Sequence, residues 1–310
     1  MNFLYCFDEN YNIPASVSIF SLLENVKEEI NVYIIHKNKK TFEPLDAITS
    51  HRNLNKLEIY EFSNKNYEFP NIEGAHVSEA TYYRFFIEMH LPKDLKFITY
   101  VDADIVFVSD PVNEINEEIK KLEDSSNLIS VRSESEILNE KLNLKSNKYF
   151  NAGVMIINFN KWLESDILNK LLNLTDERAE DIQWWDQDVL NIYFDGNYTE
   201  MSENLNYRLE MFPYQKKVVH KLDKNIKVIH YSGKFKPWSL KGIENNLSIY
   251  YQEIYRSLYS NRYHLSDNWK INTLRDLIKI ISTGRLFKIR YPFSLIVTVI
   301  RFLITDRKNV

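Results

Sequence analysis

The chain has one cysteine, Cys6, in 310 residues, so no disulfide can form within it and a cysteine-rich zinc site is excluded. A lone thiol fits a reducing compartment. One-sided charge is also absent: 39 basic against 43 acidic residues leave −4, which gives no general reason to expect nucleic acid as a partner. The first seven residues are apolar but few, lack a basic n-region and run straight into Asp8 and Glu9, so they read as a strand and not as a secretory leader. Long hydrophobic runs are lacking too. The longest near the C-terminus, 293–304, is broken by Arg301 and falls short of the roughly 20 residues a spanning helix needs. No internal repeat and no low-complexity linker divides the chain. These absences point to a cytoplasmic protein.

What is present is a core-forming sequence, 44% hydrophobic, in which β-branched runs alternate with helical patterns. Strands are expected at 3–7, 32–36, 57–60, 97–107, 128–131, 154–158 and 227–231, and helices at 14–23, 42–53, 78–89, 161–172 and 188–194. Such alternation predicts an α/β fold with a mostly parallel central sheet and helices on both faces. Ligands in such sheets sit beyond the carboxyl ends of the strands. The division expected is one domain over 1–265 and a basic tail over 266–310. From 270 onward nine Lys/Arg face two Asp, or +7, leaving −11 for the rest.

The run Phe97 to Val108 carries Asp102 and Asp104 one residue apart inside an otherwise apolar, β-rich stretch. Asp-x-Asp alone is more often a solvated turn. Here the flanks are apolar on both sides, and two buried carboxylates would need a cation or a wet cleft. Strand alternation predicts that both point the same way, with oxygens suited to a hard divalent ion that also holds phosphates.

Further on stand Tyr149-Phe150-Asn151-Ala152-Gly153, Trp184-Trp185-Asp186-Gln187-Asp188 and His230-Tyr231-Ser232-Gly233-Lys234-Phe235-Lys236-Pro237-Trp238. With Asp8-Glu9-Asn10-Tyr11, Tyr83-Arg84 and Asp102-Ala103-Asp104, taken in this order over residues 1 to about 240, the set resembles the family-8 retaining glycosyltransferases. The resemblance implies a GT-A nucleotide-binding fold, a UDP-glucose or UDP-galactose donor, Mn2+ with Mg2+ as the alternative, and retention of α configuration. It makes His230 the third metal ligand beside Asp102 and Asp104. It places Asp8, Asn10, Tyr11, Arg84, Ala103, Asn151, Gly233 and Lys236 at the donor, with Tyr11 stacked on uracil. Gln187, Asp186 and Lys236 become the catalytic set: Gln187 stabilises oxocarbenium charge, Asp186 holds sugar hydroxyls, and Lys236 meets the leaving diphosphate.

A buried Arg84 also calls for a carboxylate partner, Asp102 or another acid. Asp188 is expected to cap the helix it begins. His76 is expected in a loop ahead of Arg84, and Trp184 and Trp185 read equally as core or as an acceptor platform. The acceptor, a cell-envelope glycan such as lipopolysaccharide, is expected against 133–148 and 207–214. The tail, with Arg275, Lys279, Arg285, Lys288 and Arg290 among apolar residues, reads as an amphipathic segment for peripheral contact with an anionic inner membrane face, near a lipid-linked acceptor. Two other classes use the same acids, a metal-dependent phosphohydrolase and a non-catalytic nucleotide-sugar binder.

Overall fold

The computed structural model describes residues 1–304 apart from 65–66, 71–77, 212–221, 260 and 267–269. His76, His220 and the end of the 207–214 segment therefore lie outside the described residues. A seven-stranded sheet runs in the order β3-β2-β1-β4-β7-β6-β8, built from β1 (Asn2–Phe7), β2 (Ile30–His36), β3 (Leu54–Glu61), β4 (Phe97–Val101), β6 (Ile129–Ser133), β7 (Phe150–Asn158) and β8 (Thr199–Glu200). Only β7 runs against its neighbours, so the sheet is mostly parallel as expected. A three-stranded sheet, β5 (Ile105–Phe107), β10 (Val228–His230) and β9 (Tyr207–Arg208), stands beside it.

Both faces of the large sheet are covered, and side-chain alternation sorts the core into two. Leu4, Cys6, Tyr33, Ile35, Ile98 and Tyr100 pack on one face. Phe3, Tyr5, Phe7, Val32, Ile34 and Ile156 pack on the other, against helix Asn12–Asn25.

The structure corrects several expected elements. The strand over 97–107 is two strands in different sheets, because Asp102, Ala103 and Asp104 form the turn between β4 and β5. The helix over 42–53 shrinks to Asp46–Thr49, since Phe42 is drawn into an aromatic cluster with Phe7 and His36. The helix over 161–172 is two, Phe159–Glu164 and Ile167–Glu177, separated at Asp166, whose φ is 48°. Residues 79–86 wind as a 3-10 helix before a short α turn, Ile87–His90. Sequence reading missed helix Val112–Glu123, which buries Val112, Ile115 and Leu122, and helix Ile249–Leu258, whose Tyr251 and Tyr255 pack against Trp238 and His264.

The tail forms two helices, Lys270–Ser282 and Pro292–Ile304. Leu277, Ile280, Leu295, Val299 and Phe302 build one apolar cluster with Leu240 and Ile243 of the preceding chain, so the segment docks on the domain through its own small core. No helix among the described residues is long and apolar enough to cross a membrane.

Candidate active site

The turn after β4 and the end of β10 bring Asp102, Asp104 and His230 together, with one ligand atom of each within 4.8 Å of the others. The acids share this side because of the turn and not because of strand alternation. His230 Nε2 lies 3.4 Å from Asp104 Oδ1 and 3.8 Å from Asp102 Oδ2. Its other nitrogen, Nδ1, is 3.1 Å from Asn206 Oδ1. That oxygen can only accept, so Nδ1 carries a proton, and Nε2 is the nitrogen that a neutral ring would offer to a cation between the acids. Asp104 Oδ1 is buried and accepts no hydrogen bond among the described residues. Two carboxylates, an imidazole lone pair and an unpartnered buried oxygen fit a hard divalent cation, with mixed oxygen and nitrogen ligation that suits Mn2+.

Lys236 arrives from the loop after β10, where Gly233 takes a φ of 83° open chiefly to glycine. Its Nζ donates to Asp104 Oδ2 at 2.6 Å and to the Tyr231 carbonyl at 2.8 Å. Burial works to raise the Asp104 carboxyl, but Lys236 and His230 outweigh it and hold it well below the usual carboxylate range. Lys236 is thus parked on one of the clustered carboxylates, 132 residues away in sequence.

Arg84 joins the two halves of the site. Its Nη2 donates to Asp102 Oδ1 at 2.8 Å and its Nη1 to the Ala152 carbonyl at 2.5 Å. Nε lies 3.0 Å from Asp186 Oδ2 while donating to the Thr81 carbonyl. The guanidinium also sits 4.0 Å from the centre of the Tyr100 ring, whose hydroxyl donates to Asp102. The expected carboxylate partner is therefore two, one from each motif. Asp186 Oδ2 accepts no hydrogen bond among the described residues, and burial outweighs Arg84 to raise its carboxyl to about 7.

Gln187 is held at both ends of its amide. Oε1 accepts the Ala152 N–H at 3.1 Å and Asn151 Nδ2 at 3.4 Å, and Nε2 donates to the Tyr149 hydroxyl at 3.0 Å. Asn151 Oδ1 in turn accepts from Gly153 N and from Asn206 Nδ2, both at 3.0 Å. One chain of amides thus runs from His230 through Asn206 and Asn151 to Gln187. Asp188 does not begin the helix Trp185–Phe194; it lies one turn inside, and its Oδ2 reaches back to accept the Gln183 and Trp184 N–H groups. It caps the helix from within because Tyr149 and Asn139 hold its carboxylate in place. Trp184 is 41% exposed, which removes it from the core; its indole donates to the Leu138 carbonyl in the 133–148 loop.

At the N-terminal motif, Asp8 is buried and accepts from the Asn10 backbone and side chain. Tyr11 packs edge-on against Trp238, their ring centres 5.9 Å apart, and burial pushes its hydroxyl up to about 12. Ala103 is buried in the turn between the acids. Asn206, Tyr100 and Tyr149 were not found by sequence reading. Each is an ordinary core-compatible residue whose role depends on a partner far along the chain.

Gly153 supplies a test of how tightly the imidazole is fixed. A Cβ there would stand 2.2 Å from His230 Cε1. Gly153→Ala is therefore expected to push the ring off its position, to destabilise the fold by about 1–3 kcal/mol and to weaken divalent-cation binding at the cluster at least tenfold. Thermal melting and calorimetric titration with a divalent cation measure the two effects, and unchanged cation affinity would show that the ring has room to move.

A mostly parallel sheet that ends in an Asp-x-Asp turn facing an imidazole and a lysine fits the GT-A fold. The chain belongs to glycosyl transferase family 8, whose model matches residues 2–242. It is 26% identical over 263 residues to general stress protein A of Bacillus subtilis, covering 77% of this chain and 87% of that one. It is 24% identical to lipopolysaccharide 1,2-glucosyltransferase of Escherichia coli K12, covering 96% and 86%. Among solved structures, the galactosyltransferase LgtC in complex with donor and acceptor sugar analogues superposes with a TM-score of 0.66 at 20% identity, covering 84% of this chain and 96% of that one. That likeness shows the GT-A fold.

Proposed function

We propose that this protein is a retaining α-glycosyltransferase that moves glucose or galactose from a UDP-sugar to a cell-envelope glycan acceptor of the lipopolysaccharide type, with Mn2+. The observation that carries the reading is the convergence of Asp102, Asp104 and His230 beside Lys236 and the clamped amide of Gln187. The relatedness to lipopolysaccharide glucosyl- and galactosyltransferases supports the acceptor class. A divalent ion held by the two acids and the imidazole would supply a Lewis acid at the diphosphate.

The residues of the chain divide the remaining work. Asp8, Asn10 and Tyr11 hold the nucleoside, and Gly233 lets the backbone approach the phosphates. Lys236 exchanges Asp104 for the diphosphate and meets the negative charge that grows there as the glycosidic bond breaks. Asp186, whose Oδ2 is ion-paired with Arg84 but accepts no hydrogen bond among the described residues, takes a sugar hydroxyl. The neutral amide of Gln187 is a poor nucleophile, which favours same-face attack over a covalent intermediate. In that step the bond from C1 to the phosphate oxygen breaks, the acceptor oxygen bonds C1, and the acceptor proton passes to the departing phosphate. Gln187 then lends carbonyl dipole to the oxocarbenium charge. Exposed Trp184 and the 133–148 loop offer an acceptor platform next to it.

The assay that decides is release of UDP from UDP-glucose and UDP-galactose, with Mn2+ and with excess EDTA. Lys236→Ala is expected to lower turnover about a hundredfold while changing UDP affinity far less. Full turnover in EDTA, or phosphate-ester hydrolysis without UDP-sugar cleavage, would overturn the reading in favour of a different chemistry.

The tail adds peripheral attachment to an anionic membrane. Apart from Trp184, every large hydrophobic residue exposed among the described residues lies in it: Leu274, Ile278 and Ile281 on one helix, Phe293, Val297, Ile300 and Ile304 on the other, and Phe287 between. The i, i+4, i+7 spacing makes an apolar stripe on each helix, set among Arg275, Lys279, Lys288 and Arg290.

A further inference from the structure

Away from the donor site, the joint between the domain and its C-terminal helices encloses a cavity of about 260 Å3, lined by residues 243–250 on the domain side and by Lys288, Ile289 and Arg290 of the tail. Arg256 also lines it. Two buried donors in this lining have no acceptor among the described residues, Asn245 Nδ2 and Arg256 Nε. Asn245 is 7% exposed, and its Oδ1 accepts the Leu247 N–H at 3.0 Å, which fixes the amide with its NH2 unpartnered. The other nitrogens of Arg256 are used: Nη1 donates to the Arg262 carbonyl at 2.8 Å and Nη2 lies 2.5 Å from Glu253. Buried donors without acceptors are costly, so the lining is matched to an acceptor-rich group.

Charge and size narrow that group. Arg256, Arg285, Lys288 and Arg290 stand against Glu244, which pairs with Arg285, and Glu253, which Arg256 and Arg290 share. Leaving Lys288 out of the count, three guanidiniums face two carboxylates among the described residues, an excess of positive charge that selects an anion. The cavity is smaller than the roughly 300–1,000 Å3 of pockets for drug-sized ligands, and a phosphate suits it. The source follows from the rim. Phe287 and Phe293, 73% and 72% exposed, flank Lys288 and Arg290 in the chain, and a soluble phosphate would have no use for them.

We infer that this cavity receives the terminal phosphate of an anionic phospholipid, with Asn245 and Arg256 donating from the domain, Lys288 and Arg290 from the tail, and Phe287 and Phe293 entering the acyl boundary. The inference rests on the proposed membrane attachment and gives it headgroup selectivity. A phosphomonoester brings three terminal oxygens to the donors of this lining, whereas a diester such as phosphatidylglycerol is tethered on both sides.

The experiment uses the full chain and phosphatidylcholine vesicles that carry either phosphatidate or enough phosphatidylglycerol to match its surface charge. Wild type is expected to bind the phosphatidate vesicles about tenfold more tightly. Asn245→Asp keeps the Oδ1 acceptor but sets a carboxylate where the donor stood, so it is expected to erase that preference and leave phosphatidylglycerol binding within about twofold. Lys288→Gln, on an exposed linker, is the second variant should the first fold poorly, and both are expected to release UDP at the wild-type rate. Equal binding of the two vesicles by wild type, or an undiminished preference in the folded variants, overturns the inference. Inorganic phosphate that binds without vesicles, is lost in the variants, and comes with no vesicle preference would overturn the lipid source. Failure to bind either vesicle sinks the attachment reading itself, a result separate from a loss of selectivity alone.

Discussion

Asp104→Asn is expected to lower UDP release from the donor by about two to three orders of magnitude, with the fold retained. The carboxylate contributes one oxygen to the cluster with Asp102 and His230 and the other to Lys236. An amide keeps the shape but loses the charge on both sides. Lys236 keeps the Tyr231 carbonyl as a partner, so the loss of stability stays near the 1–3 kcal/mol of a buried group deprived of one hydrogen bond. Asp102→Asn is expected to cost less stability, because Tyr100 and Arg84 can still donate to the amide oxygen. Steady-state UDP release alongside circular dichroism measures both effects. A folded Asp104→Asn protein that retained more than about a tenth of wild-type turnover would remove the acid from the centre of the chemistry.

Arg84→Ala is expected to destabilise the protein by about 3–5 kcal/mol, the largest single effect on the fold, because it strands Asp102 and Asp186 without their shared cation. Arg84 is 4% exposed and Asp186 is equally buried, so neither charge is relieved by water. The size of the loss should depend on pH in a definite direction. Burial raises Asp186 to about 7, while an unfolded aspartate titrates near about 4. Between those values the folded state keeps a proton that the unfolded state has released, so stability contributed by this group is full below about 4 and lost as pH rises through about 7. Removing Arg84 raises the folded value further and deepens the loss on the alkaline side. Denaturant melts at pH 5 and pH 8 are the check: the Arg84→Ala penalty is expected to be larger at pH 8. A penalty independent of pH would mean that Asp186 stays ionised throughout.

Arg84 also explains why the Asp102 and Asp186 sides of the site are one object. It reaches the Asp102 motif, the Ala152 carbonyl next to Asn151, and Asp186 beside Gln187. A substitution at any of these positions is transmitted to the others through one guanidinium, so double substitutions among Asp102, Arg84 and Asp186 should be non-additive.

The sequence by itself determined the class of sheet and singled out residues that the fold brings together. Asp102 and Asp104 stood out because acids interrupt an apolar run, and His230, Gly233 and Lys236 because an imidazole, a glycine and a cation follow a buried strand at short spacing. Those signals are local, as is the β–α alternation that predicted a mostly parallel sheet, and local patterns survive in one dimension. The tertiary structure alone decided how they meet. Whether 97–107 is one strand or two depends on β10 pairing with β5 across more than a hundred residues, which no periodicity within 97–107 records. The tautomer of His230 is set by Asn206, and the amide of Gln187 by Asn151, Ala152 and Tyr149. Lys236 sits on Asp104, not on solvent, because the loop after β10 folds back over the turn after β4. The tail shows the same division: its basic and apolar residues were legible, but which of them dock on Leu240 and Ile243 and which stay exposed is fixed only when the two helices pack. Hydrogen bonds, ion pairs and burial are properties of distance in space, and the sequence specifies that distance only through the cooperative packing of the whole chain.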